Sequence, residues 1–286
     1  MAPAVPPALN AFIERWSRAQ AAERANYQLF LSELCDVLEV PRPDPAGPAT
    51  EDNAYVFERA VPLHHADGRT TTGRIDLYRR GCFVLEAKQY AAAPVEQPEF
   101  SLETDAPRRG GIARGSEAWD RKMIEARSQA ERYAHALPAA EEPPPFLLVV
   151  DVGHSFELFA DFSQKGKAYL HFPDARTHRL RLDDLRKPEV RARFRAVWLD
   201  PHSLDPAKKS AAVTREVAAH LAELARLFEK KHPPELVAAF LSRCLFCMFA
   251  EDVGLLPKEG FKNLLDSVQG DPGAAVPLLR GLFEEM

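Results

Sequence analysis

Cysteine is scarce in this chain: Cys35, Cys82, Cys244 and Cys247 are its four in 286 residues, and each sits in an apolar run. That excludes a disulfide-stapled scaffold and points to reduced thiols in a cytoplasmic protein. No run of about 18 apolar residues exists to span a membrane. The opening MAPAVPPALNAF lacks the basic region and apolar stretch of a signal peptide. The chain is therefore expected in the cytoplasm and off the membrane. An excess of basic charge is missing as well, since the formal net charge is −5. This excludes a wholly basic, histone-like binder but leaves room for local basic patches. Internal repeats and low-complexity tracts are absent.

What remains is ordinary globular composition, 46% hydrophobic and 28% charged, in a chain long enough for one large domain or a medium one plus a smaller one. Its 24 prolines imply long irregular connections. Apolar residues at helical spacing (Leu9, Phe12, Ile13, Trp16, then Tyr27, Phe30, Leu31, Leu34, Cys35, Leu38) predict two helices, the second ended by prolines 41, 43, 45 and 48. Strand patterns follow at 54–63, 71–79 and 82–88, an antiparallel meander. The stretch 91–115, rich in Pro, Gly and charge, is expected to be a mobile loop. EAWDRKMIEARSQAERYAHAL then predicts a helix and PPPFLLVVDVG a buried strand of the kind a crossover helix delivers. Two short strands, SFELFAD and KAYLHF, and a polar helix-bearing segment, LRLDDLRKPEVRARFRAVWLDP, close this unit near residue 200. Beyond Pro206 the spacing is helical throughout. The fold class expected is thus α/β, a mixed sheet flanked by helices over residues 1–200, followed by an all-α segment over 201–286.

The hairpin GRIDLYRRGCFVLEAKQY carries three charges where a sheet should be driest: Asp76, Glu86 and Lys88. Burying them is costly unless they share a partner. Glu86 and Lys88, two apart in a strand, leave the same face. A three-residue loop Arg79-Arg80-Gly81, with Gly81 in the left-handed position, pairs Tyr78 with Cys82 and Asp76 with Val84. Asp76 and Glu86 then become diagonal neighbours within reach of one ion; a two-residue loop would flip that relation. Two carboxylates beside an ammonium suit a hard cation such as Mg²⁺, which keeps waters and binds substrate phosphate oxygens alongside one or two carboxylates. Such an ion makes water a better nucleophile and stabilises charge building on phosphorus.

Taken alone, D-x(9)-E-x-K is short and built of common residues, and its ordinary reading is a surface ion pair worth about 0–1 kcal/mol. Context reverses that. The hairpin follows a helix and precedes a crossover helix and strand, the arrangement of the PD-(D/E)xK nuclease fold. The crossover helix carries Gln129 and Tyr133 as QAERY, four apart on one face, which resembles the Q-x-x-x-Y motif of RecB-type nucleases. Other signals are weaker. CLFC at 244–247 has metal-like spacing but lies in an apolar helix with no second pair. His64-His65 precedes a turn without the rest of a His-based nuclease site. The arginines of RRGGIARG (108–114) and RKPEVRARFR (186–195) are either phosphate contacts or solvated charge.

Three stretches in order, ERANYQLFLSELCDVLEVPRP, GRIDLYRRGCFVLEAKQ and FLSRCLFCMFAEDVGLLP, together resemble the amino-terminal part of MmeI-like type IIL (IIG) restriction-modification enzymes. The resemblance implies a PD-(D/E)xK nuclease with Asp76, Glu86 and Lys88 as its triad, Asp76 and Glu86 holding Mg²⁺, and Gln129 and Tyr133 beside them. Glu23, in the helix before the sheet, is a further candidate acid, though an exposed helix charge explains it equally well. It further implies a double-stranded DNA partner, a helical spacer, an adenine methyltransferase using S-adenosylmethionine, and a target-recognition module. No N-P-P-Y or D-P-P-Y motif and no F-x-G-x-G loop occurs, so methyl transfer is not expected of this chain. It is expected to be the nuclease and the beginning of a truncated spacer, with the methyltransferase and recognition parts supplied elsewhere. The rival reading is a non-catalytic piece that docks to a methyltransferase partner through an exposed apolar helical face.

Overall fold

The computed structural model describes residues 6–19, 23–49, 52–65, 67–90, 112–163, 165–166, 168–257 and 259–284, the side chains of 23–25, 212 and 272 excepted. Two compact units result, Met1–Pro206 and Ala207–Met286.

The first unit is built on a seven-stranded mixed sheet. Helix α1 (Pro7–Ser17) turns Leu9, Phe12, Ile13 and Trp16 inward, and α2 (Glu23–Leu38) buries Tyr27, Phe30, Leu31, Leu34, Cys35 and Leu38. The left-handed Glu39 (φ 55°) ends α2 before the prolines. Strands β1 (Tyr55–His64), β2 (Thr70–Arg79) and β3 (Phe83–Lys88) form the expected meander. Helix α3 (Glu117–His135) then crosses over, its Ser116 cap accepting the Trp119 N–H, and delivers β4 (Phe146–Asp151) parallel to β3. Strand β5 (Ser155–Ala160) returns antiparallel and pairs with two short strands, β6 (Leu170–His171) and β7 (Arg179–Arg181).

A core lies on each face of the sheet. On one side α1, α2 and α4 (Pro188–Leu199) cover Leu77, Phe83, Leu85, Ala87, Leu148 and Phe156. On the other, α3 presents Trp119, Met123, Ala126, Ala130 and Ala134 to Ile75, Val84, Leu147 and Val149. The segment expected to be polar is only half so. Its front forms β7 and a 3₁₀ turn (Leu182–Arg186), and α4 buries Val190, Phe194, Val197 and Trp198. The three arginines 191, 193 and 195 between these positions mask an apolar stripe at helical spacing. Trp198 donates its indole N–H to the Tyr55 hydroxyl at 3.0 Å and packs on Phe83 at 4.4 Å between ring centroids.

The second unit is helical: α5 (Pro206–Glu229, opening on the last residue of the first unit), α6 (Pro234–Asp252), α7 (Gly260–Val268) and α8 (Pro272–Glu284). Phe228 and Phe283 each meet Phe240 edge-on. Leu236, Leu245, Phe246, Met248 and Phe249 of α6 are exposed. Cys247 is buried and Cys244 half-buried, both thiols free, and burial pushes both up from the usual thiol range. No helix among the described residues is long and apolar enough to cross a membrane.

Candidate active site

The β2–β3 hairpin turns through Arg80, Gly81 and Cys82, one residue later than the sequence pattern suggested. Cys82 N–H donates to the Arg79 carbonyl at 3.0 Å, and Gly81 adopts φ 67°, a backbone that costs a residue with a side chain about 1–2 kcal/mol. Tyr78 therefore pairs with Val84, not Cys82. The correction shifts the register by two, so every side chain keeps its face, and continuing it sets Asp76 opposite Glu86 instead of diagonal to it. Cys82 misled because it is apolar and buried like a strand residue; its thiol sits 3.3 Å from the Trp198 carbonyl.

The backbone ladder ends at Leu77–Leu85. Beyond it the Asp76 carboxylate itself accepts the Ala87 N–H, at 2.7 Å. This holds the carboxylate in the gap between β2 and β3, beside the residue that separates Glu86 from Lys88. Since Val84 packs toward α3 while Leu85 and Ala87 pack toward the opposite core, alternation sends Glu86 and Lys88 to the α3 side. There Lys88 Nζ donates to Glu86 Oε1 at 2.6 Å. Glu86 is 1% exposed and the Lys88 side chain 21%, so the pair is buried but open to one side.

Gln129 and Tyr133 meet on α3, the Gln129 amide donating to the Tyr133 hydroxyl at 3.0 Å. The Tyr133 ring lies against Gly73 of β2, where an added Cβ would come within 2.6 Å of it. The motif thus packs on the strand carrying Asp76, three residues upstream. Glu23 opens α2, but its side chain lies outside the described residues. So do residues 91–111 of the expected loop. Its far end departs from expectation: Arg114 is 9% exposed in its side chain and grips the fully buried Asp151 with two N–H groups, at 2.9 and 3.0 Å. That guanidinium is committed to the core. His64 and His65 bond to Thr70 and Thr71 across the β1–β2 turn.

Two clusters near Asp76, Glu86 and Lys88 were not legible beforehand. Asp151, which pairs with Lys88 across β3 and β4, also accepts the Trp119 indole N–H at 2.9 Å and the Tyr90 backbone N–H at 3.2 Å. An acid closing the apolar run FLLVVD was its only sign. His154 stacks edge-on against Trp119, and burial, reinforced by the Arg114 charge, holds it below the usual histidine range. The second cluster joins α2 to β1: the Tyr27 hydroxyl donates to Glu58. Burial and then that bond push the phenol well above its ordinary range, with the Asp76 charge adding to the effect.

The donor set suits a hard divalent cation. Asp76 and Glu86 supply carboxylate oxygens from neighbouring strands, and no group of three or more His, Cys, Asp or Glu side chains among the described residues could close a cage around a metal. Mg²⁺ is a cation that one or two carboxylates can hold while waters and phosphate oxygens complete its shell, and Asp76 and Glu86 are the residues here that could do so.

Residues 7–231 match the family model described as the MmeI N-terminal domain, and residues 235–286 that of the MmeI helicase spacer domain. The models divide the chain after α5, whereas the compact units part at its start. No curated protein and no solved structure matches it.

Proposed function

The chain belongs to the MmeI family of restriction-modification enzymes, and from that premise we propose that its first unit, about residues 1–200, is a Mg²⁺-dependent DNA endonuclease of the PD-(D/E)xK type. The observation that carries the proposal is a pair of bonds on one hairpin: the Asp76 carboxylate accepts the Ala87 N–H at 2.7 Å, and Lys88 donates to Glu86 beside it at 2.6 Å. Asp76 and Glu86 would hold the ion, which when bound polarises the scissile phosphate and activates water. Asp76 is oriented by the Ala87 N–H, which its carboxylate accepts at 2.7 Å between the two strands. Lys88 orients Glu86 through their 2.6 Å bond. Its ammonium, on a side chain 21% exposed, offers fixed positive charge where negative charge grows on the phosphate, the kind of preorganised stabilisation that mutagenesis values at about 10²–10³ in rate. The substrate is double-stranded DNA. In this reading an adenine methyltransferase, its S-adenosylmethionine and a target-recognition module act together with the nuclease, and the helices beyond residue 200 serve as a spacer toward them.

The test is Mg²⁺-dependent cleavage of plasmid DNA by the full chain, with the methyltransferase and recognition parts supplied if it does not cut alone. Asp76→Asn keeps an acceptor for the Ala87 N–H and removes the charge, so the fold should survive and cutting should stop. Undiminished cleavage by Asp76→Asn defeats the assignment. A second reading, a non-catalytic piece docking to a methyltransferase partner, draws on the exposed apolar side chains of α6. It predicts no cleavage from wild type under any supply of metal and partner.

A further inference from the structure

Strands β1 and β2 change faces together at one point. Ile75 packs toward α3 and Leu77 toward α1 and α2, although residues two apart in a regular strand share a face. On β1, Phe57 packs on the Leu77 side and Val61 on the Ile75 side. The ladder pairs Phe57 with Leu77 and Arg59 with Ile75, which leaves Glu58 and Asp76 facing each other at the crossing. Glu58 carries the backbone of that crossing: its φ is 55°, left-handed for a residue with a side chain. Such conformations persist only where surroundings over-determine them, and they gather at functional sites.

The surroundings here are specific. The Glu58 carboxylate accepts the Tyr27 hydroxyl proton from α2. The Tyr27 ring packs edge-on against Phe57 at 6.1 Å, and the Gln28 amide donates to the same hydroxyl at 3.0 Å. The half-turn has a direct consequence next door. A regular β2 would point Asp76 squarely off one face; instead its carboxylate lies edgewise and reaches the Ala87 N–H of β3.

We propose that Glu58 and Tyr27 are positioning residues for Asp76, holding β1 and β2 in the half-turn that delivers the Asp76 carboxylate into the gap beside Glu86 and Lys88. The inference rests on the nuclease reading only for its effect on rate; the placement of Asp76 is testable without it.

Amide hydrogen exchange at Ala87 reads that placement, because its N–H is held by the Asp76 carboxylate. In Glu58→Gly and Tyr27→Phe, Ala87 should exchange at least tenfold faster than in wild type while Leu85 within the ladder keeps its protection. Glu58→Gly should melt no lower than wild type, since glycine relieves the left-handed backbone. It should nevertheless lose tenfold or more in kcat for DNA cleavage with KM unchanged. Glu58→Gln, which still accepts from Tyr27, should restore both readouts. A merely structural residue would not combine retained stability with lost turnover. Wild-type exchange at Ala87 in both Glu58→Gly and Tyr27→Phe overturns the proposal, as does accelerated exchange with undiminished kcat. If Asp76→Asn itself cuts normally, the nuclease reading fails instead, and the exchange data still decide whether Glu58 and Tyr27 place Asp76.

Discussion

Lys88 Nζ lies 2.6 Å from Glu86 Oε1, on a side chain 21% exposed, while the glutamate is buried at 1% exposure. Breaking a buried pair from one side costs about 3–5 kcal/mol, and the partial exposure of Lys88 lowers this to about 2 kcal/mol. Lys88→Ala should therefore lose both stability and, by at least about 10²-fold, cleavage. Urea unfolding run beside the cleavage assay separates the two, because the variant remains folded at assay temperature and its rate loss exceeds any unfolded fraction.

Gly81 sits in open space, where a Cβ would meet nothing within 4 Å. Its φ of 67° is the whole of its requirement. Gly81→Ala should cost about 1–2 kcal/mol and leave cleavage per folded molecule unchanged. A larger loss, or a change in rate, would mean that the turn moved and carried the register with it.

Arg59 is fully buried beneath the sheet edge, ion-paired to Glu141 at 2.5 Å and stacked over the Tyr78 ring at 4.3 Å. Burial pushes the Glu141 carboxyl up, but the Tyr78 hydroxyl, Arg59 and Arg80 outweigh it and hold it below the usual glutamate range. A depressed carboxyl stabilises the fold above its unfolded value, about 4.3, and that contribution is lost as pH falls through the lower folded value. Glu141→Ala should cost about 3–5 kcal/mol near neutrality. The gap to wild type should narrow steadily below about pH 4.3. Urea midpoints at pH 7 and pH 3 give the comparison.

The three-strand meander, the crossover helix with its following strand, and the shared face of Glu86 and Lys88 were legible because they follow from apolar periodicity and strand alternation. Alternation also concealed what was missed. A period-two pattern carries no mark of a half-turn, so Glu58 resembled any outward strand acid, and Ile75, Asp76 and Leu77 seemed regular. The hairpin register slipped because Cys82 is as apolar as its strand neighbours, and only its bond to the Trp198 carbonyl explains a buried residue inside a turn. Trp198 itself was hidden by arginines at 191, 193 and 195, which crowd the outer face of a helix whose inner face is core. Contacts between residues far apart in the chain decide all three.

Gly73 and Tyr133 test whether the helix motif supports the strand bearing Asp76. An added Cβ at Gly73 would lie 2.6 Å from the Tyr133 ring and 2.9 Å from Leu63, and overpacking of this kind costs about 1–3 kcal/mol. Gly73→Ala should lower stability in that range and displace Tyr133 from its bond with Gln129. Gly73→Ala combined with Tyr133→Ala should recover part of the loss. No recovery would show that β2, not the ring, is what resists the methyl group.

Asp151 closes β4 directly opposite Lys88, the last residue of its parallel partner β3. It gathers a bidentate Arg114, the Trp119 indole and the Tyr90 amide onto one buried carboxylate. Removing it leaves a guanidinium that is 9% exposed without a counter-charge and with only the Val152 carbonyl among these partners, so Asp151→Ala should cost about 3–5 kcal/mol. Asp151→Asn, which keeps an acceptor but no charge, should cost about 1–3 kcal/mol. Arg114→Ala should hurt nearly as much, by leaving the carboxylate with neutral donors alone. Because the two residues serve each other, the double variant should be more stable than the sum of the single losses predicts. A coupling of about 1.5–3 kcal/mol is expected from urea melts of the four proteins. Strict additivity would mean that Arg114 and Asp151 act separately, and that the Tyr90 amide and Trp119 alone fix the chain end next to Lys88.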